Sequence, residues 1–531
     1  MCGRFAFAIL LVSGMVFVTS CERETCVLPN GPYNCASEDI KGTDLSAKML
    51  TNADFSKADG QFVNFENANL AGADFSQADM TESNFRHSNL EGANFMGSFA
   101  SNANFNDSNI NSALMLAAVL KNSSFHKAKA VATDFSSASL EGAKFLATNL
   151  TESVFRKSDL SNAEFTGSDL TAADLTGSDL TGANLENATV NKVLIKGAKV
   201  SSSTKLPEKL QILWRIVNDE LTNEDESAIS TKEKPCDLSR VYLRSSSLAQ
   251  MNMNSINLAY SKIVDMKFGL SDMENASFTN AYVENCDFTN AKLQSCNFTG
   301  AEIVDVDFSN ASASKGDFSD IMAAGLNLKG AMLDNAQFEK ANIRKGQFDR
   351  ASLMSASFFG AIMPQASFIE ANLVGAKFSN ADLKSANFQN ARMEKKTAFD
   401  KADASNANFS GLDLKQAKFN DGTFIDTNFT NADLRNSEFK KSDLRNAHFK
   451  GARLQEANFT GADLRNADFC GASLSTAVFV DANLKGAEVD TATTFDGAKF
   501  KNTTCPNGEK SVDNDRKGDH GCFNKLNIVN K

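Results

Sequence analysis

The feature that most constrains this chain is a large apolar residue at every fifth position. The stretch TGSDLTAADLTGSDLTGANLEN, residues 166 to 187, places Leu170, Leu175, Leu180 and Leu185 in one phase. A spacing of five matches neither the 3.6-residue period of a helix nor the two-residue period of a strand, so neither element could bury these residues on one face. A coil that turns a corner every five residues can bury all of them. The spacing therefore predicts a solenoid whose successive coils pair like parallel strands.

The five-residue phase runs through most of the 531 residues. It holds over residues 45–200, resumes over 238–393, and after six-residue steps at Phe399 and Phe495 ends at Phe500, which makes 85 units in all. A small residue stands two positions before most of the large ones, so each unit offers one large and one small inward side chain. The two six-residue steps predict corner bulges.

The repeated unit resembles that of the pentapeptide-repeat family, written A-(D/N)-L-x-x. The sequence ADL at residues 173–175 and again at 462–464 matches this unit, and similar matches recur across nearly the whole chain after residue 42. The resemblance implies an all-β solenoid, a right-handed four-sided (quadrilateral) parallel β-helix. It implies little about function, because shape defines the family.

Phenylalanine supplies a separate reason to expect four sides. The chain has 42 Phe but only 4 Tyr and 1 Trp. Phe recurs at every second unit, and a period of ten residues divides a four-unit coil but not a three-unit coil. We therefore expect Phe to stack over Phe on two opposite faces. The predicted core columns contain Phe55, Phe65, Phe75, Phe85 and Phe95 in the first array and Phe268, Phe278, Phe288 and Phe298 in the second.

Several units carry glycine or alanine where a large residue is expected. Gly60 and Ala100 are examples. We expect a neighbour such as Phe99 to fill the space, because protein interiors are close-packed. A small ligand cavity is the alternative.

Residues 201–237 interrupt the repeats. The segment LPEKLQILWRIVNDEL has apolar residues at helical spacing and predicts a short α-helical insert. Its apolar stripe contains Leu206, Leu210, Leu213, Val217 and Leu221. The only tryptophan, Trp214, lies beside this stripe. We expect the helix to cover an exposed coil edge, and the alternative is a docking helix for a partner.

The N-terminal residues are typical of an export signal. Arg4 precedes an apolar run over residues 5–18, which is too short to favour a permanent membrane span. The following Val18-Thr19-Ser20-Cys21 resembles the lipobox of bacterial lipoproteins, in which the cysteine carries lipid. We therefore expect an exported protein of the bacterial cell envelope, anchored to a membrane through Cys21. A periplasmic or secreted protein is the alternative.

The cysteines fall into two groups. Cys26 with Cys35 and Cys505 with Cys522 are candidates for disulfides that hold the two ends of the solenoid. Three others occupy the small-residue site and are expected to be buried, and Cys470 has no evident role. The buried three are Cys236, Cys286 and Cys296. No CxxC pair or His/Cys cluster has the spacing of a zinc site, so no metal site is predicted.

The predicted organisation has six segments. These are a signal peptide (1–20), an N-terminal cysteine-containing linker or cap (21–42), a first β-helix segment (43–200), the helical insert and polar loop (201–237), a second β-helix segment (238–502), and a cysteine-containing C-terminal tail or cap (503–531).

A basic column is the clearest candidate surface patch. Arg445, Arg465 and Lys485 are spaced by twenty residues, so they should stack on one wall. They could bind an acidic partner. Since Asp443 and Asp463 lie two residues before the arginines, an interleaved ladder of charges is the alternative.

These patterns favour an interaction protein over an enzyme. The four histidines are scattered, and no nucleophile-base pair, phosphate-binding glycine loop or metal motif occurs, so no enzyme activity and no cofactor are predicted. We expect a non-enzymatic envelope-associated scaffold, a rod that binds protein or an envelope polymer. One branch of the resembled family inhibits DNA gyrase by mimicking DNA, which is the first alternative; an exported effector is the second. Nucleic acid is disfavoured as a partner by the net charge of -11.

Overall fold

The computed structural model describes residues 33–218, 236–393, 397–511 and 522. These residues form two compact units. Unit 1 contains the described residues up to Thr189 together with Lys199–Lys205, and unit 2 contains Val190–Ala198 and the described residues from Leu206 onward. The predicted signal peptide, Cys21, Cys26 and Leu221 lie outside the described residues.

Most coils of both units contain twenty residues. In unit 1, Asn64 pairs in parallel with Asn84, and Asn84 pairs with Asn104. In unit 2, Tyr242 pairs with Lys262 in the same parallel register. A turn follows every fifth residue, so each coil has four sides. The predicted four-sided parallel β-helix is therefore confirmed.

Regular strands occur on one wall of unit 2. They form a parallel sheet of six strands in chain order. The strands are β1 (Tyr242–Arg244), β2 (Lys262–Val264), β3 (Tyr282–Glu284), β4 (Glu302–Val304), β5 (Met322–Ala324) and β6 (Asn342–Ile343). The other described walls pair through isolated bridges, because only one residue per side has strand geometry before the next corner.

Residues at three positions of each pentapeptide allow the chain to turn from one side of the coil to the next. Asp54, just before core residue Phe55, accepts a hydrogen bond from the backbone N–H of Ser56 at 2.9 Å. This side-chain bond holds the turn that follows. Lys57 then takes the left-handed conformation, with φ of 57°. The small residue of a unit is buried beside the core, where a hydroxyl finds a backbone partner, as Ser88 does in donating to the carbonyl of Phe85 at 2.6 Å.

The core consists of stacked phenylalanine columns, as predicted. The rings of Phe55 and Phe75 are stacked with centroids 4.9 Å apart, and those of Phe55 and Phe65, on opposite sides of the coil, meet edge to face at 5.4 Å. Both geometries suit the charge distribution of aromatic rings. The predicted core phenylalanines are all fully buried, namely Phe55, Phe65, Phe75, Phe85, Phe95, Phe268, Phe278, Phe288 and Phe298.

One of the substituted core positions shows how space is refilled. A Cβ atom at Gly60 would lie 2.7 Å from the Cε of Met80, so the methionine side chain occupies the volume that Gly60 leaves. Repacking, rather than a ligand cavity, thus explains this site. The expectation that Phe99 fills the space beside Ala100 is wrong, since the Phe99 side chain is 52% exposed. Residue 99 directly precedes the core position, and side chains there point outward.

Both predicted six-residue steps are present. Lys377 pairs with Ala398 and Ser473 pairs with Thr494, each 21 residues later in place of 20. At the second step the Thr493 hydroxyl donates to the backbone carbonyl of Phe469 at 3.0 Å. The extra residue is therefore accommodated by a hydrogen bond to the preceding coil.

A third six-residue step lies in unit 1, where the sequence was expected to leave the β-helix. Asn184 pairs with Lys205, again 21 residues later. The Thr204 hydroxyl donates to the carbonyl of Leu180 at 2.8 Å, as Thr493 does at the later step. Coil pairing in unit 1 thus continues past residue 200 into the segment predicted as insert.

The insert contains α1 (Glu208–Val217), with Pro207 at its N-cap. Its buried residues are Leu210, Leu213, Ile216 and Val217. Trp214 donates its indole N–H to the carbonyl of Ala198 at 2.8 Å, and α1 contacts β1, so the helix packs onto the first coil of unit 2. None of the helices in the described part of the chain is long and apolar enough to cross a membrane.

The C-terminal end of unit 2 is closed by an antiparallel turn and a disulfide. Thr504 pairs antiparallel with Lys510, which covers the edge of the last coil. Cys505 is bonded to Cys522, the pairing expected from the sequence. Cys35 is also disulfide-bonded, and its partner lies outside the described residues.

Candidate interaction surfaces

The outer walls carry ladders of polar side chains that repeat every twenty residues. In unit 1, Asn89 donates to the side-chain oxygen of Asn69 at 3.0 Å, and Asn109 donates in turn to that of Asn89 at 3.0 Å. In this ladder, stacking places like residues directly above one another, so each amide bonds to its neighbour. Such ladders consume part of the hydrogen-bonding capacity of the walls.

The predicted basic column does lie on one wall of unit 2. Arg445, Arg465 and Lys485 together line a surface groove of about 540 Å³, with Pro506 at one end. The structure thus brings together the three residues that their spacing selected.

Two of the three cations in this groove already have partners. The guanidinium of Arg445 donates to the carboxylate of Asp443 at 2.7 Å, and Arg465 does the same to Asp463 at 2.6 Å. These side-chain hydrogen bonds raise the pKa of both guanidinium groups. Lys485 follows the neutral Asn483, whose oxygen accepts the Lys485 backbone N–H at 3.2 Å. Arg445 and Arg465 therefore alternate with the carboxylates that they bond. Lys485 is the one cation of the column that has no carboxylate two residues before it.

A denser charge cluster surrounds Asp433. Its carboxylate accepts from Arg435 at 2.7 Å and from Arg453, one coil later, at 3.0 Å, and Lys415 lies at 3.6 Å. Burial works to raise the pKa of Asp433, but the hydrogen bonds from Arg435 and the charge of Arg453 lower it below the ordinary value. The Asp433 carboxylate therefore connects three cationic side chains of this wall.

A second surface, on the β1–β6 wall, was not found from the sequence. The ammonium of Lys262 lies 5.6 Å from the ring centre of Tyr242 and 5.5 Å from that of Tyr282. On the adjoining corner, Arg240 lies 5.1 Å from the ring centre of Tyr260. These are cation–π distances. The sequence feature that could have indicated this surface is the position of three of the four tyrosines between residues 242 and 282.

The free cysteines of the described residues differ in what surrounds them. Cys236, Cys286 and Cys296 are buried, as expected for the small-residue site. Burial raises the pKa of the Cys286 thiol to about 12 and raises that of Cys296 further. Cys286 and Cys296 are therefore packing residues whose thiols stay protonated near neutral pH.

Cys470 belongs to a cluster that the sequence did not predict. One ligand atom each from Asp468, Cys470 and Glu488 lie within 4.8 Å of one another. Burial, followed by the hydrogen bond to Asp468, raises the pKa of the Cys470 thiol to about 12. The cluster brings one thiol and two carboxyl groups together on the surface of unit 2. The sequence feature that could have indicated this cluster is the twenty-residue spacing between Asp468 and Glu488.

Comparison with family models agrees with this architecture. A model described as pentapeptide repeats (8 copies) matches residues 61–97, 133–171, 168–198, 271–310, 324–360 and 351–390. A second, described as a pentapeptide repeat region, matches residues 395–459 and 416–505. Together they span more than half of the chain. The chain belongs to the pentapeptide-repeat family.

Solved structures similar to this pentapeptide-repeat protein include three family members. Rfr23 from the cyanobacterium Cyanothece 51142 is 31% identical over 19% of this chain and 67% of its own, with a TM-score of 0.13. HetL, from the cyanobacterium Nostoc sp. strain PCC 7120 and involved in heterocyst differentiation regulation, is 21% identical over 45% of this chain and 92% of its own, with a TM-score of 0.25. Full-length QnrB1, a plasmid-mediated fluoroquinolone resistance protein, is 17% identical over 39% of this chain and 93% of its own, with a TM-score of 0.23. A search of curated proteins gave no match to this pentapeptide-repeat protein.

Proposed function

We propose that this protein is a non-enzymatic scaffold of the bacterial cell envelope, whose side walls bind a protein or an envelope polymer. The observation that carries the proposal is the difference in composition between the core and the walls. The core is filled by phenylalanine columns, while the walls repeat polar and charged groups every twenty residues. In the described residues the core positions are filled by side chains, and a repetitive wall offers many equivalent contacts to an extended partner.

The charge pattern favours this proposal over DNA mimicry. A DNA mimic needs regularly spaced carboxylates that are free to face a DNA-binding site. Here Asp443 and Asp463 are each bonded to an arginine two residues later, and Asp433 faces three cations. Unit 1 has a more acidic coil over residues 159–179, which contains five carboxyl groups. Arg156 bonds Asp174 there at 2.5 Å, and Lys199 lies 3.5 Å from Asp179. Gyrase inhibition is accordingly the second candidate, and its support is the shared repeat fold.

The envelope part of the proposal rests on the N-terminal sequence. Its direct test is palmitate labelling and membrane fractionation of cells that express the wild type or Cys21→Ala. We expect the wild type to be labelled and membrane-bound, and Cys21→Ala to lose both properties. Cys470→Ala, which changes a cysteine far from the signal, is the matched control and should behave as wild type.

The same experiment separates the alternatives. Wild-type protein that is unlabelled, cytosolic and intact at its N-terminus would overturn the envelope proposal, and inhibition of gyrase supercoiling by that purified protein would establish the second candidate. Protein found in the culture medium or inside a neighbouring cell would instead support an exported effector.

A further inference from the structure

Five side chains on the β1–β6 wall and its adjoining corner form a surface that we name the tyrosine wall. They are Arg240, Tyr242, Tyr260, Lys262 and Tyr282. Strand pairing places Tyr242, Lys262 and Tyr282 at the same position of three successive coils. Arg240 and Lys262 are exposed, and Tyr260 is 50% exposed. The wall is thus an accessible strip in which cations alternate with aromatic rings.

The cations of the tyrosine wall are held by rings and not by carboxylates. The Lys262 ammonium lies between two rings, at 5.6 Å and 5.5 Å from their centres, and the Arg240 guanidinium lies 5.1 Å from the third. Neither cation forms an ion pair with another of the described residues. A neutral ring holds a cation in place without cancelling its charge. Both charges are therefore positioned and available to a ligand.

The carboxyl groups beside the tyrosine wall have partners of their own. Asp265 lies 3.7 Å from Arg244, and Glu284 accepts a hydrogen bond from a tyrosine hydroxyl of the wall at 3.0 Å. Lys192 adds an exposed cation at the N-terminal side of the wall, where its backbone N–H donates to the carbonyl of Arg240 at 2.6 Å. Positive charge is therefore left over at this end of the wall.

The basic column of unit 2 differs in this respect. Arg445 and Arg465 are bonded to the carboxylates two residues before them, at 2.7 Å and 2.6 Å. An acidic ligand would have to compete with those carboxylates, whereas Arg240 and Lys262 have no such competitor among the described residues. Charge complementarity to an acidic partner thus favours the tyrosine wall.

We propose that the tyrosine wall binds an acidic polysaccharide, an extended chain of sugar rings that carries carboxylate groups. The inference rests on the scaffold function proposed above and names the class of envelope polymer. The carboxylates pair with Lys262, Arg240 and Lys192, and the C–H faces of the sugar rings pack on the tyrosines. Stacked coils repeat these groups at multiples of about 4.8 Å, so a chain that runs along the wall meets them in turn. The strip ends at Glu302, which follows Tyr282 one coil later.

Nucleic acid also combines anionic groups with flat rings, but it fits this surface less well. Tyr242 and Tyr282 are half-buried, and Lys262 takes up one face of each ring. They do not offer the open platforms on which successive bases stack. The net charge of -11 also repels a polymer as densely charged as nucleic acid.

The test is calorimetric titration of the purified full chain with polygalacturonate at low and at physiological salt. We expect binding that weakens as salt is added, and much weaker binding to dextran, a neutral polysaccharide. Lys262→Gln should weaken binding to polygalacturonate roughly tenfold, because it removes the central charge. Lys262→Arg should retain binding, and Tyr260→Ala should weaken it, since this variant removes the most exposed ring of the wall.

Lys292→Gln is the matched control. Lys292 lies ten residues after Tyr282 in the coil, on the opposite wall, and its ammonium is 3.2 Å from Asp272. The variant removes the same charge and should leave binding unchanged. Circular dichroism of every variant verifies that the β-helix is intact. A wild type that does not bind polygalacturonate, or that loses binding equally in Lys292→Gln, would overturn the proposal.

Two further polymers test the class of ligand. Tighter binding to single-stranded DNA or to polyglutamate than to polygalacturonate would overturn the polysaccharide assignment and identify nucleic acid or an acidic protein as the ligand. This result is separate from the location of the protein. Failure to bind by a protein that is palmitate-labelled and membrane-bound would overturn this inference and leave the envelope scaffold standing. Binding by a protein that is unlabelled and cytosolic would overturn the envelope proposal and leave the site standing.

Discussion

The phenyl rings of Phe65 and Phe85, twenty residues apart in the chain, lie parallel with their centroids 4.9 Å apart. The ring of Phe105 stacks on the other face of Phe85 at 4.8 Å. Each ring in such a column is therefore packed by the coil before and the coil after it. These contacts between neighbouring coils stabilise the column, as nearest-neighbour contacts do in other repeat proteins.

Phe85→Ala should be strongly destabilising. It removes a fully buried ring from the middle of a column and leaves a cavity, which costs about 3–5 kcal/mol. Because a repeat array need not unfold in one step, hydrogen exchange of the coils around residue 85 should be measured together with thermal unfolding. Phe99→Ala is the matched control, since that ring is 52% exposed. An equal loss in both variants would contradict the assigned core.

The corner residues offer a stabilising substitution. Ala117 lies at a corner with φ of 55°, a conformation that costs a residue with a Cβ roughly 1–2 kcal/mol. Ala117→Gly should relieve this strain and, after the entropy cost of glycine, raise the unfolding free energy by up to about 1 kcal/mol. The adjacent Ala118 is fully buried, so Ala118→Gly should lower stability. Chemical denaturation of the pair checks the opposite signs.

Acid should weaken unit 2 through the cluster around Asp433. The pKa of this carboxyl is lowered in the folded state, so its contribution to stability is fully present above its ordinary value of 3.8 and is lost as the pH falls through the folded value. Asp433→Asn should therefore reduce the loss of stability between pH 5 and the acid limit of folding. Urea unfolding at several pH values measures this slope. A slope equal to that of the wild type would show that the cluster does not contribute.

Loss of the C-terminal disulfide should loosen the last coils. Cys522→Ser opens the 17-residue separation that Cys505–Cys522 closes, and such crosslinks contribute about 2–4 kcal/mol. We expect faster hydrogen exchange and faster proteolysis over residues 499–511, with the wild type reproducing both under reducing conditions. Cys470→Ser is the control and should exchange as the wild type does. Unchanged exchange in Cys522→Ser would mean that the antiparallel turn alone secures this end.

The third six-residue step marks where reading the sequence failed. Thr204, Lys205 and Leu206 repeat the pattern of Thr493, Thr494 and Phe495, so a signal was present. The helical spacing that begins at Leu206 masked it. Ile216 was likewise missing from the predicted stripe, because its burial in α1 depends on how the helix packs against its neighbours and not on the spacing alone.

The sequence by itself determined the four-sided solenoid, its phenylalanine columns and two of its six-residue steps. It could do so because one buried side chain recurs in every unit, and each repeat imposes the same local requirement for burial and a turn. The tertiary structure decided which outward side chains meet. Arg445 bonds Asp443 in its own pentapeptide, Arg453 bonds Asp433 in the preceding coil, and the Oδ1 of Asn372 accepts no hydrogen bond within the described residues. No core packing restricts these side chains, so their partners depend on the residues that coil stacking brings above, below and beside them.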